Sequence, residues 1–189
     1  MGDEEGVPTP NFGGALGDAV FMTGLERNSD LGVMAACAPL FVNVNPGGMQ
    51  WGSDLIGYDA LNSYGSPSYY AQVLFASCLG DHTLNSSISG TGDKFFFSVT
   101  KSSKPDKLCM KLVNASSAAQ PLTITLNGLG TAVHAAHIDT LTANTIWATN
   151  TITEPERIVP VRSTRSIRGE RFQHTVPGYS IQVLDVALK

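Results

Sequence analysis

Leu122-Thr123-Ile124-Thr125-Leu126, followed by Asn127-Gly128, alternates apolar and polar residues and then offers a turn dipeptide. That is the pattern of a half-buried strand entering a tight turn. Working outward, Phe95 to Thr100 reads as a strand, and so does Leu108 to Asn114, with Lys111 facing out. Val133 to Ile138, Arg157 to Val161, His174 to Pro177 and Tyr179 to Ala187 are further candidates, and Ser180 to Leu184 alternates well. Short strands at this spacing predict an antiparallel β-sandwich for residues 81–189.

Upstream of Gly80 the period is different. Leu16 to Arg27 carries Leu16, Ala19, Val20, Thr23 and Leu25 at helical spacing, with Asn11 as a plausible N-cap and Asn28-Ser29-Asp30 as the stop. Leu31 to Val44 is almost continuously apolar, but Pro39 forbids one regular helix across it. A short helix to about Ala36 and a buried strand over Leu40 to Val44 are predicted. A strand apolar on both faces is characteristic of a parallel barrel. Ser66-Pro67 reads as N-cap and N1 of a second helix, Ser68 to Leu79, with Tyr69, Val73, Leu74 and Phe75 turned inward and Gly80 as its C-cap. The fold class is therefore mixed α and β: a helix–strand–helix remnant of a parallel barrel over residues 1–80, then the sandwich. One barrel strand without neighbours leaves apolar surface and a free edge, so self-association through that segment is expected.

Composition bounds the function. The chain has 189 residues, 42% apolar and only 15% charged, with a net charge of -4. A nucleic-acid partner is not expected, because such binders carry a basic patch. The one basic cluster, Arg157, Arg162, Arg165, Arg168 and Arg171, is interleaved with Glu154, Glu156 and Glu170 and reads as a solvated loop. No membrane partner is expected, since no apolar run is long enough to span a bilayer. Met1 to Pro10 shows no signal peptide, which leaves the compartment open. Sequons occur at Asn85 and Asn114 and would matter in a secreted parent.

Chemistry-bearing clusters are sparse. Cys37, Cys78 and Cys109 form no CxxC pair; Cys37 and Cys78 read as small buried hydrophobes, with a single bridge left open. His82, His134, His137 and His174 are scattered, and no metal site or cofactor is expected. No nucleophile elbow or phosphate loop is present. Met49 to Ser66 mixes Trp51, Tyr58 and Tyr64 with hydrogen-bonding side chains. Such a loop suits a sugar, whose C–H faces stack on rings, although the same aromatics could simply pack the loop down. Asp54 and Asp59 either bond substrate hydroxyls or form turns.

The run Ala15-Leu16-Gly17-Asp18-Ala19-Val20-Phe21-Met22-Thr23-Gly24-Leu25-Glu26-Arg27-Asn28-Ser29-Asp30 resembles a signature of the α-L-arabinofuranosidases of glycoside hydrolase family 51. Ala38-Pro39-Leu40-Phe41-Val42-Asn43-Val44-Asn45 and Tyr64-Gly65-Ser66-Pro67-Ser68-Tyr69-Tyr70 continue the likeness. Val159-Pro160-Val161 and Pro177-Gly178-Tyr179-Ser180 resemble the end of the family's C-terminal domain. The resemblance implies a (β/α)8 barrel followed by a β-sandwich, and release of terminal arabinofuranose from arabinan or arabinoxylan with retention. Arabinose-containing polysaccharide or oligosaccharide is the implied partner. Retention needs two carboxylates about 5–5.5 Å apart. The family's acid/base glutamate belongs to a strand outside this sequence. Its nucleophile belongs to a Gly-Glu-aromatic motif, whereas Glu4-Glu5-Gly6 here has no aromatic neighbour. No catalytic residue is therefore assigned, and the isolated chain is expected to be inactive. Trp51, Tyr64 and Asn45 are the expected substrate contacts. A non-catalytic carbohydrate-binding sandwich and a nonfunctional remnant are the alternatives.

Overall fold

The computed structural model describes residues 7–128 and 133–188. Helix α1, Phe12–Arg27, is capped by Asn11, whose side-chain oxygen accepts from the Gly14 N–H at 3.1 Å. Phe12, Ala15, Leu16, Ala19 and Thr23 form its buried face at i, i+3, i+4, i+7 spacing. Helix α2, Pro67–Ser77, begins as predicted with Ser66 accepting from the Tyr69 N–H at 3.1 Å and proline at its first position. Its buried stripe is Pro67, Ser68, Ala71, Leu74 and Phe75, whereas Val73 is 41% exposed, a rotation from the expected face. Cys78, not Gly80, caps it. Gly80 is needed for a close approach instead: a Cβ there would lie 2.5 Å from the Thr100 Cβ.

The remaining elements are strands β1 (Phe41–Asn43), β2 (Ile56–Tyr58), β3 (Ser63–Gly65), β4 (His82–Thr83), β5 (Phe95–Ser103) and β6 (Asp106–Asn114). They continue through β7 (Gln120–Thr125), β8 (Val133–Thr142), β9 (Val161–Arg168), β10 (Arg171–Val176) and β11 (Ser180–Ala187). A six-stranded sheet runs β4-β5-β6-β11-β8-β9, antiparallel throughout. The antiparallel pair β10-β7 forms the second layer of the sandwich.

Both faces of the large sheet are covered, and β6 shows how. Leu108, Met110 and Leu112 join the cluster with Phe172, Val176 and Leu184 beneath β10. Cys109 and Val113 join Phe12, Leu16, Leu74 and Phe75 of the helices on the other face. Lys111 shares that second parity, so the expectation that it faces solvent fails: it is fully buried. Its ammonium donates to the Glu26 carboxylate and, at 2.5 Å, to the Cys78 carbonyl. Cys78 is buried as expected but bonded to Cys109, while Cys37 is free and exposed, contrary to the buried reading.

Two further expectations are corrected. No helix forms after Leu31: Leu31, Val33 and Met34 are 80%, 94% and 90% exposed. An apolar run with nothing to pack against gains little from helical order. The basic cluster is not a loop but lies mostly on β9 and β10, which are joined by a turn at Gly169 with φ +67 and pair in different sheets, β9 with β8 and β10 with β7. It is solvated on its outer face, with Arg162 gripping Asp139 through two bonds of 2.7 Å.

Candidate functional site

The segment between the helices forms a small sheet ordered β1-β2-β3. β1 and β2 are parallel, with Phe41, Val42 and Asn43 opposite Ile56, Gly57 and Tyr58; β3 returns antiparallel. β1 pairs on one edge only among the described residues. Val42 is buried while Leu40 and Phe41 are 42% and 59% exposed, so the strand is not apolar-covered on both sides as its sequence suggests.

The parallel pair has two chemically different ends. At the C-terminal end the Val44 N–H donates to the Tyr58 carbonyl at 2.9 Å, and Asn43 Oδ1 accepts from the Asn45 N–H at 3.0 Å. The turn closes with the Gly48 N–H on the Asn45 carbonyl at 2.8 Å, and Gly47 supplies the left-handed residue at φ +75. Asn45 therefore projects from an ordered, solvent-facing turn at that end. At the N-terminal end the Ile56 N–H donates to the Leu40 carbonyl at 2.9 Å, and the Asp54 N–H donates to the Pro8 carbonyl at 3.2 Å.

Of the expected substrate contacts, Trp51 lies 68% exposed in the crossover between these ends. It is separated from Asn45 along the chain, and no described contact joins them. Tyr64 is only 6% exposed; its hydroxyl sits 3.2 Å from Thr9 Oγ1 and its ring lies over Gly57, where a Cβ would come within 2.4 Å of Cε1. In this fold Tyr64 packs the sheet.

The two aspartates separate clearly. Asp59 accepts from the Leu61 and Asn62 N–H groups at 2.7 and 2.6 Å, which holds its carboxyl below the usual range. It is a turn-former. Asp54 is 1% exposed, and neither carboxylate oxygen has a hydrogen-bond partner among the described residues; burial pushes its carboxyl up. Sequence reasoning could not tell these apart, because both sit among Gly, Ser and Asn.

Among the described residues, two cavities lie against the large sheet. One of about 900 Å³ opens between the large sheet and β7, floored by Phe97, Met110, Leu122 and Ile124, with Asn85 at its rim. A second of about 360 Å³ is lined by Thr140, Thr142, Arg157 and Ser163. Neither is lined by a carboxylate. Glu26 is engaged with Lys111 and Ser98, Glu154 with Arg157, and Glu170 with the Gly128 N–H. Glu4 and Glu5 lie outside the described residues. No cluster of three His, Cys, Asp or Glu able to hold a metal occurs among the described residues. The sequons also differ. Asn85 is exposed, whereas the Asn114 amide nitrogen donates to the carbonyls of Ala118 and Pro177 at 2.8 and 2.9 Å and is buried. This geometry leaves no room for a glycan on Asn114.

Residues 5–180 match the family model described as the α-L-arabinofuranosidase C-terminal domain. The chain is 30% identical over 177 residues to α-L-arabinofuranosidase 1 of Arabidopsis thaliana, covering 91% of this chain and 26% of that protein. It is 35% identical to α-L-arabinofuranosidase A of Aspergillus kawachii, covering 94% and 27%. The chain thus spans about a quarter of the length of these relatives. Among solved structures, an arabinose-bound α-L-arabinofuranosidase of glycoside hydrolase family 51 superposes with a TM-score of 0.85 at 37% identity, covering 96% of this chain and 28% of the other. An arabinose complex of the Thermotoga maritima α-L-arabinofuranosidase gives 0.75 at 18% identity, covering 98% and 40%; at that identity the likeness is one of fold.

Proposed function

The chain belongs to the family of α-L-arabinofuranosidase C-terminal domains of glycoside hydrolase family 51, and from that premise we propose that it is one part of a retaining enzyme that removes terminal arabinofuranose from arabinan or arabinoxylan. In this reading residues 1–80 are the closing helix–strand–helix of a (β/α)8 barrel and residues 81–189 are the appended sandwich. The observation that carries it is the parallel β1–β2 pair between two helices that both pack on the sandwich. Antiparallel hairpins need no such arrangement, and a parallel strand with a helix on either side is the repeating unit of a barrel. The exposed Leu31, Val33, Met34 and Phe41 support it, as surface that further barrel elements would cover. In the isolated chain the same surface favours self-association.

Barrel enzymes work at the C-terminal ends of their strands. In this reading Asn45 is on the sugar-facing side, with Trp51 on the loop that walls it, while the buried Tyr64 supports the loop from beneath. In this reading the glutamate pair is contributed by the part of the enzyme outside this chain, so the chain alone holds binding surface without the reaction's acid and nucleophile.

The test is an aryl α-L-arabinofuranoside assay on this chain alone and on the chain joined to the barrel portion of a relative. No turnover by the first and turnover by the second is expected. In the joined enzyme, Asn45→Ala and Trp51→Ala raise KM several-fold. Saturable hydrolysis by the isolated chain defeats the proposal.

A further inference from the structure

One loop of the sandwich reaches the starts of both helices. In the connection from β8 to β9, the Ile146 carbonyl accepts from the Gly13 N–H at 2.7 Å and the Ala148 carbonyl from the Phe12 N–H at 2.8 Å. These are first-turn donors that a helix cannot satisfy internally. Thr149 Oγ1 donates to the Pro10 carbonyl at 3.2 Å, just ahead of α1. The buried Asn150 amide donates to the Gly65 carbonyl at 2.8 Å, just ahead of α2. In a barrel each helix follows its strand, so helix starts lie on the face where strands end and substrate binds. The loop 144–150 therefore adjoins that face although it belongs to the sandwich.

Trp147 stands in the middle of this loop. Ile146 and Ala148 pack on the helix cluster, whereas Trp147 is 64% exposed. A lone exposed apolar side chain is ordinary. This one differs because its backbone is fixed on both sides, and no ring or cation among the described residues lies on the indole. Its neighbours Asn144 and Thr145 are exposed, uncharged and able to hydrogen-bond. A rigid aromatic face already held in place, beside neutral polar groups, loses little entropy when it takes a ligand. The chain's other tryptophan, Trp51, precedes Gly52, where a Cβ would lie 3.6 Å from the Val7 carbonyl oxygen. Residues next to the two indoles thus touch the two ends of the segment 7–12. That segment spans no more than about 17 Å, which a short oligosaccharide bridges and a single sugar does not.

We propose that Trp147 is a stacking residue for the polysaccharide main chain, holding a pyranose ring while the arabinofuranose branch enters beside Asn45. A six-membered ring with equatorial substituents turns a flat array of C–H bonds to the indole. A five-membered ring is smaller and puckered and covers it less well. The proposal rests on the reading of this chain as one part of an arabinofuranosidase, and it narrows the substrate to branches on a pyranose backbone, as in arabinoxylan.

The native chain can be tested directly. It has two tryptophans, so a proton–nitrogen correlation spectrum holds two indole N–H signals, which Trp51→Phe and Trp147→Phe assign. Xylotetraose shifts the Trp147 signal saturably; L-arabinose and arabinotriose do not. By calorimetry, Trp147→Ala weakens xylotetraose binding about two- to ten-fold, and Trp147→Tyr, which keeps a ring, weakens it less. Melting temperatures check that both variants fold; if one does not, the signal of the native chain decides. A Trp147 signal that xylotetraose leaves in place, binding unchanged in a folded Trp147→Ala, or an equal response to arabinotriose overturns the proposal. The readout does not depend on hydrolysis. Failure of the joined enzyme to turn over defeats the proposed function without moving the Trp147 signal, and a stationary signal in a chain whose joined form is active removes only the role of Trp147.

Discussion

Lys111 and Glu26 join the central sheet to the end of α1 through a contact that the solvent does not reach from the lysine side. Lys111 is fully buried and the Glu26 side chain is 17% exposed. Burial pulls the ammonium's pKa down while the Glu26 carboxylate acts against that pull. Glu26 also accepts from Ser98 Oγ at 2.5 Å, so β5, β6 and α1 meet at one carboxylate. Removing the two partners is not symmetrical. Glu26→Ala strands a buried ammonium and is expected to cost about 3 kcal/mol. Lys111→Met leaves a carboxylate that retains Ser98 and some water, and costs less. Urea unfolding midpoints check the order; Lys111→Met at least as damaging as Glu26→Ala would contradict it.

The bond between Cys78 and Cys109 ties the end of α2 to β6 across a sequence separation of 31. Chain-entropy reasoning assigns a loop of that size roughly 3–4 kcal/mol. Cys109→Ala should lower stability by about that much, whereas Cys37→Ala, at an exposed free thiol, should leave it unchanged. Reduction with dithiothreitol should lower the melting temperature of the native chain and leave Cys78→Ala/Cys109→Ala unmoved.

How far the fold could be read in advance depended on whether a side chain's partner was local. Asn11 and Ser66 cap their helices through bonds three residues away, so the signals were complete in the sequence. The alternation of Leu122, Ile124 and Leu126 marked β7 because one face of that strand meets the core and the other meets water. Lys111 broke the rule because β6 is covered on both faces, and a charge on the second face is explained only by Glu26, 85 residues away. The candidate site was legible as a loop and not as a geometry. Asn45 and Trp51 emerge toward solvent, but Tyr64 turns inward because Gly57 on the adjacent strand makes room for its ring. Asp54 and Asp59 were indistinguishable until the N–H groups of Leu61 and Asn62 were found on one and not the other.

The two sequons should behave differently if the chain passes through a glycosylating secretory route. Asn85 stands on an exposed segment at the rim of the large cavity. Asn114 is 1% exposed, and its side-chain oxygen also accepts from Ser116 Oγ at 2.7 Å, so both ends of the amide are committed. Mass spectrometry should find a glycan at Asn85 that Asn85→Gln removes, and none at Asn114. Asn114→Ala should instead destabilise the fold by about 2–3 kcal/mol, since the carbonyls of Ala118 and Pro177 lose their donor.

His174 on β10 donates across the sandwich to Gln182 Oε1 at 2.8 Å, and Gln182 passes a donor to Thr140 Oγ1 at 2.9 Å. Burial lowers the imidazole's pKa below 6.5, the Gln182 bond opposes the shift, and Arg165 adds to it. Above 6.5 both folded and unfolded chains carry a neutral ring, and the full contribution to stability is present. As the pH falls below 6.5 the unfolded chain takes up its proton first, so the folded state loses ground until the pH passes the lower folded value. Stability should therefore decline on acidification below 6.5, with a part of the slope that His174→Asn removes. Unfolding free energies of the native chain and His174→Asn, compared between about pH 7.5 and 5.5, isolate that part from the carboxylates, which titrate lower. Parallel pH profiles for the two proteins would show that the ring between the layers is not the group responsible.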